Sequence, residues 1–158
     1  MLSHLRFSPV LVIACAGAAL VGLEAAGRAT QSRTDTAAVE RVLGDYIGLY
    51  RTDRLLEWKT LFLPGFAATY TNDDGSVTTR TLEEFYERQQ AAFVRGTVSE
   101  TLHDVRIARQ GRLAHVVAGF DFTSAGTTRR GQLMLLMIET QGQFKIAALT
   151  FTYHLQQD

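Results

Sequence analysis

The sequence predicts an α+β domain in which two helices, a short hairpin and a third helix lead into four antiparallel strands. Three observations predict it. Apolar residues recur at helical spacing in two blocks, 39–62 and 82–93. An Asp-Asp-Gly turn at 73–75 separates those blocks. From Val98 onward the period changes to two and stays there.

Val39, Val42, Leu43, Tyr46, Ile47 and Tyr50 form one apolar stripe, which predicts the first helix. Asp53 stands where an N-cap would open a second, shorter helix, with Leu55, Trp58 and Phe62 on one face and Pro64-Gly65 ending it. Phe66 to Thr71 and Val77 to Arg80 predict a hairpin, because Asp74-Gly75 supplies the positive φ that a two-residue turn needs. Thr81-Leu82-Glu83-Glu84 is a capping box, in which hydroxyl and carboxylate satisfy each other's free backbone amides. It opens a third helix that buries Leu82, Phe85, Tyr86, Phe93 and either Gln89 or Ala92, and stops at Gly96.

Four strands follow, Val98 to Arg109, Leu113 to Thr123, Thr128 to Glu139 and Phe144 to His154, with turns so short that they predict a meander. Met134, Leu136 and Ile138 alternate with Leu133, Leu135 and Met137, so both sheet faces carry apolar residues. An antiparallel sheet with one wet face would alternate with polar residues instead. One face is expected to take the helices and the other a second subunit, a ligand floor being the alternative for that second face.

At 158 residues, 46% apolar and 20% charged, the chain has the length and composition of one folded domain. Sixteen basic residues balance sixteen acidic ones without a run of like charge, which leaves nucleic-acid binding and a polybasic membrane patch unsupported. Residues 1–29 differ from the rest. A basic start at Met1 to Arg6, an apolar run from Phe7 to Leu23 and the small residues Gly27 and Ala29 predict an export signal, with the exported chain beginning near Thr30 in a periplasmic or secreted location. Val12-Ile13-Ala14-Cys15 also fits a lipoprotein acylation site, so lipidation of Cys15 and an uncleaved anchor are the alternatives, and this segment is the one expected membrane contact. Residues 30–36 form a polar lead-in and 37–158 the domain. Cys15 is the only cysteine, so a chain starting at Thr30 has no disulfide, thiol nucleophile or zinc-thiolate site.

Asp45-Tyr46-Ile47, the Asp53, Trp58, Leu61-Phe62 segment, Thr81 to Tyr86 and Gly142-Gln143-Phe144-Lys145-Ile146 occur in an order that resembles the nuclear transport factor 2-like superfamily. The resemblance spans about residues 37 to 154. The superfamily includes ketosteroid isomerases, scytalone dehydratase and SnoaL-like polyketide cyclases. It implies a cone-shaped, curved antiparallel sheet wrapped on three helices around a mostly apolar pocket. In the ketosteroid isomerases a helix-one Tyr donates to the developing enolate, an Asp on the first strand moves the proton, and a protonated sheet Asp is the second donor. The matching positions here are Tyr46, Tyr70 and Met134, so two of three roles are empty.

Tyr46, His103 and Asp121 are the remaining catalytic candidates. His115 and Asp121 share a strand face but lie about 20 Å apart along it. A His and an Asp on adjacent strands, such as His103 with Asp121, would hold an imidazole in one tautomer for general-base work. Against this, Tyr46 and Trp58 lie on helix stripes and read first as core or pocket wall, and His103, His154 and Asp121 as surface or strand-end residues. Arg129-Arg130 reads as a solvated face or an ion pair at a dimer edge. The His and Asp residues have no paired metal-ligand spacing, so neither metal nor cofactor is expected.

The expected function is binding of a small apolar or aromatic ligand within the cone, as a homodimer. Tyr46, Trp58, Phe62, Tyr70, Tyr86 and Phe93 would form the walls, with Asp121 and Thr150 as polar contacts. One alternative is a cofactor-independent acid–base enzyme of isomerase, dehydratase or cyclase type with a His in the cavity. The other is an interaction module whose cone is filled by its own side chains.

Overall fold

Helical stripes, capping box and alternating strands all appear in the predicted order in the computed structural model, which describes residues 36–154. The export segment, Cys15 and lead-in residues 30–35 lie outside the described residues. Helix α1, residues 36–48, buries Val39, Val42, Leu43 and Tyr46, and Tyr50 is buried just beyond its end. A 3-10 turn, Thr52–Arg54, leads into α2, Leu55–Lys59.

Two expectations fail around α2. Asp53 caps nothing, because its carboxylate accepts from Arg51 Nε and Nη2 at 3.1 and 2.9 Å within the 3-10 turn. Phe62 is not on the helix, which stops at Thr60. It opens strand β1, Phe62–Thr71, so Pro64-Gly65 sits inside a strand. The pairing register of β1 shifts between Phe62 and Ala67, and a Pro without an N–H is tolerated at such a bulge.

The hairpin from β1 to β2, Val77–Thr81, closes through three residues instead of two. The Gly75 N–H donates to Asn72 O at 3.0 Å, the Asn72 N–H donates to Ser76 O at 2.8 Å, and Gly75 takes φ +83°. Helix α3, Leu82–Val94, opens on the complete capping box: the Glu84 N–H donates to the Thr81 hydroxyl at 3.4 Å and the Thr81 N–H to the Glu84 carboxylate at 2.8 Å. It buries Phe85 and both Gln89 and Ala92.

Strands β3, Val98–Gln110, β4, Leu113–Ser124, β5, Thr127–Thr140, and β6, Gln143–Tyr153, form the antiparallel meander. The sheet order is β2-β1-β6-β5-β4-β3, and β1 joins β6 in parallel, so the sheet is mixed and unclosed. Its inner face supplies Val116, Phe120, Leu133, Leu135, Met137, Ile146 and Leu149 to one core with the helices. Its outer face leaves Leu113, Val117, Met134 and Leu136 exposed in the single chain. Among the described residues no helix is long and apolar enough to cross a membrane.

Candidate ligand-binding cavity

Alternation along the strands decides which side chains reach the space between helices and sheet. Phe120 and Phe122 on β4, Leu133 on β5 and Leu149, Phe151 and Tyr153 on β6 share the inward face, and each lines a cavity of about 280 Å³. The helix side adds Tyr46, Tyr50, Trp58, Phe85, Gln89 and Ala92, and Tyr70 enters from β1. These rings hold one another. Trp58 lies 5.7 Å from Tyr46, 5.1 Å from Tyr50 and 5.9 Å from Phe85, while Tyr70 stacks on Phe151 at 4.8 Å. Gly131 keeps the floor close, since a Cβ there would sit 2.6 Å from the Phe120 ring and 2.3 Å from Thr152 O.

Among the described residues the carboxyl set deepest in this aromatic space is that of Glu100. Glu100 on β3 pairs with Phe122 across the ladder and so points inward with it. The Tyr46 hydroxyl donates to Glu100 Oε1 at 3.3 Å, the one side-chain hydrogen bond that Glu100 makes among the described residues. Removal from water destabilises the carboxylate and pushes Glu100 up to about 7, against the smaller opposing effect of the Tyr46 bond. Burial, then the nearby Glu100 charge, hold the Tyr46 phenol far above its usual range, so it stays a neutral donor. Burial likewise raises Tyr153 to about 12, with Arg129 opposing. A carboxyl poised near neutrality gains and loses a proton readily at physiological pH.

Two further polar groups fix the walls. The Tyr50 hydroxyl donates to Gln89 Oε1, which accounts for a buried amide on the apolar face of α3. Trp58 is fully buried, and among the described residues its Nε1 has no hydrogen-bond partner, whereas most buried donors have one.

The mouth is polar. Asn72 and Asp73 come from the hairpin, Arg88 from α3, Arg95 from its C-cap, and Ser124 and Arg129 from the β4–β5 end. Arg129 pairs with Asp73 and lies 3.8 Å over the Tyr153 ring. It is therefore an inward-facing residue and not part of a solvated Arg-Arg face. Arg130, on the opposite parity, is exposed.

No family model matches the sequence, and no curated protein matches it. Solved structures do. A candidate scytalone dehydratase from Novosphingobium aromaticivorans superposes with a TM-score of 0.66 over 80% of this chain and 89% of its own, at 16% identity. A candidate dehydratase of the NTF2-like family from Streptomyces avermitilis gives 0.65 over 78% and 99%, at 14% identity. An NTF2-like protein of unknown function from Shewanella baltica gives 0.60 over 77% and 94%, at 14% identity. The fold is nuclear transport factor 2-like. At these identities what the chains share is the backbone plan of the nuclear transport factor 2-like fold, and each site stands on its own residues.

Within that fold, Tyr46, Trp58 and Tyr70 line the cavity, while five other expected contacts do not. Phe62 packs beneath Trp58 at 4.6 Å, Phe93 lies edge-on to Tyr50 at 5.2 Å from outside the space, and Tyr86 faces Lys59 at 4.7 Å. Asp121 and Thr150 have outward parity. His103 and Asp121 do approach, with Nε2 3.8 Å from Oδ1, and His103 Nδ1 lies 3.0 Å from Asp104 Oδ2. This cluster is on the outer face, where the His103 ring covers Gly119 and Arg130 Nε lies 3.3 Å from Asp121 Oδ1. His103, His115 and His154 are all exposed and none lines the cavity, so the enzyme alternative in its His form is removed. Among the described residues no cluster of three metal-ligating side chains occurs.

Glu100 was legible and missed. Val98, Glu100 and Leu102 share one parity, and a carboxylate on the apolar parity of a strand marks a buried acid.

Proposed function

We propose that the protein binds a small apolar or aromatic molecule in this cavity. The supporting observation is a 280 Å³ space whose inner part is walled by aromatic rings and whose charged side chains other than Glu100 gather at the mouth, the composition of a site that binds by burial and orients by polar contacts. The same space weighs against a cone filled by its own side chains, although the exposed apolar sheet that an interaction module requires is present. The pattern of residues 1–29 supports placing this activity outside the cytoplasm, on a chain cleaved near Thr30 or tethered through Cys15.

Glu100 supports a second reading, cofactor-independent acid–base chemistry on the bound molecule. Its carboxyl would move a proton on the ligand while the Tyr46 hydroxyl holds it in place. The two structural neighbours described as candidate dehydratases agree in direction, for their own chains.

Native mass spectrometry of the protein purified gently from its own cells should show a mass excess that denaturation releases. A chain without excess at every charge state would count against ligand binding. Incubating the released molecule with the protein in D2O separates the two readings: deuterium uptake that is lost in Glu100→Gln means proton transfer, and none in either protein means binding alone.

A further inference from the structure

We propose that Arg88 and Arg95 form a recognition site for an anionic group at the cavity mouth, so that the ligand is an apolar or aromatic molecule carrying a carboxylate, sulfonate or phosphate, an inference that rests on the cavity being a ligand site. Arg88 is on α3 and Arg95 is the helical C-cap residue that follows it, so the two are seven residues and about two turns apart on one side of the helix, and both line the cavity. A shallow groove lined by Arg80, Glu84, Glu87, Ala91 and the same two arginines continues from that mouth.

Neighbouring cations hold an acid or a hydroxyl, and among the described residues these two do not. Arg129 pairs with Asp73, Lys59 with Glu83, and Arg80 Nε donates to the Tyr70 hydroxyl at 2.7 Å. Among the described residues Arg88 has only the face of the Tyr70 ring, 5.7 Å away, and Arg95 has no side-chain partner. The acidic groups nearby do not neutralise them. Glu84 is held by the Thr81 amide and hydroxyl, Asp73 is held by Arg129, and Glu87 is exposed without a paired cation.

Charge also sets the orientation of the ligand. Among the described residues the cations that line the cavity stand at its mouth and the ionisable carboxyl of its interior is Glu100, which when ionised repels an anion. An amphiphilic ligand therefore places its rings against Trp58, Phe85 and Phe120 and its anionic end between the two guanidinium forks, whose paired N–H groups match the oxygens of a carboxylate, sulfonate or phosphate.

Two probes with one apolar body test this: 1-anilinonaphthalene-8-sulfonate and the uncharged N-phenyl-1-naphthylamine, each titrated against the fluorescence of Trp58, the only tryptophan. The sulfonate should bind about tenfold more tightly at low salt, and 1 M salt should erase most of that preference. Arg88→Gln with Arg95→Gln should abolish the preference and leave the amine's affinity within about twofold, since both side chains are exposed and outside the core. Equal affinities in the unaltered protein, or a preference that survives the double substitution, overturns the anion site and leaves the cavity as a ligand site. Failure of both probes to quench Trp58 overturns the ligand site and the anion site together.

Discussion

Taking the Glu100 carboxyl out of water links its proton to folding. The folded value near 7 stands above the ordinary 4.5, so between those pH values the folded chain keeps a proton that the unfolded chain has released. Glu100 therefore costs no stability below about pH 4.5, lowers stability as pH rises to about 7, and costs a constant amount above that. The size expected is about 1 to 3 kcal/mol, softened by water at the open mouth. Asp53, Glu57, Asp74 and Glu84 are held low by their hydrogen-bond donors and act in the opposite sense, losing stability as pH falls. Comparing Glu100→Gln with the unaltered protein cancels those groups. Urea midpoints from pH 4 to 8 should show the substitution gaining relative stability across the 4.5 to 7 window, and a difference independent of pH would mean that Glu100 is not buried as an acid.

Elements with strong local signals formed as their residues require, and those with conflicting signals did not. At the start of α3 the Thr81 hydroxyl and Glu84 carboxylate are exposed and meet only each other's backbone, so the cap acts almost independently of packing. Thr81→Ala should cost about 1 kcal/mol in urea unfolding, and a loss indistinguishable from zero would show that sheet contacts hold the helix start by themselves. In β1, by contrast, Pro64-Gly65 reads as a stop. Parallel pairing with β6 on both sides of that dipeptide carries the strand through it as a bulge, a contact about 80 residues away along the chain that no local window contains. Asp53 failed as a cap for a related reason: Arg51, two residues before it, offers a charged fork that its carboxylate accepts in place of the helix amides.

For the whole molecule, the outer sheet face is the open question of assembly. Leu113, Val117, Met134 and Leu136 are 39% to 51% exposed, a concentration of apolar side chains of the kind that marks an interaction surface. We expect a homodimer through this face. Sedimentation should give twice the chain mass, and Met134→Glu with Leu136→Glu should give monomers whose cavity still binds the naphthyl probes. A monomeric unaltered protein would refute the dimer, and a substituted dimer would place the interface elsewhere.

The sequence by itself determined the α+β class, the order of elements, the capping box, the meander and the presence of two apolar sheet faces, because each follows from contacts within one turn or one hairpin. It placed Tyr46, Trp58 and Tyr70 on elements that turn toward a common interior. Only the tertiary structure decided the parallel union of β1 with β6, the outward parity of His103, Asp121 and Thr150, and the meeting of Glu100 with Tyr46 across 54 residues. Those depend on strand register, where a shift of one residue exchanges the wet face for the buried one, and register is settled by the packing of all six strands on the helices together.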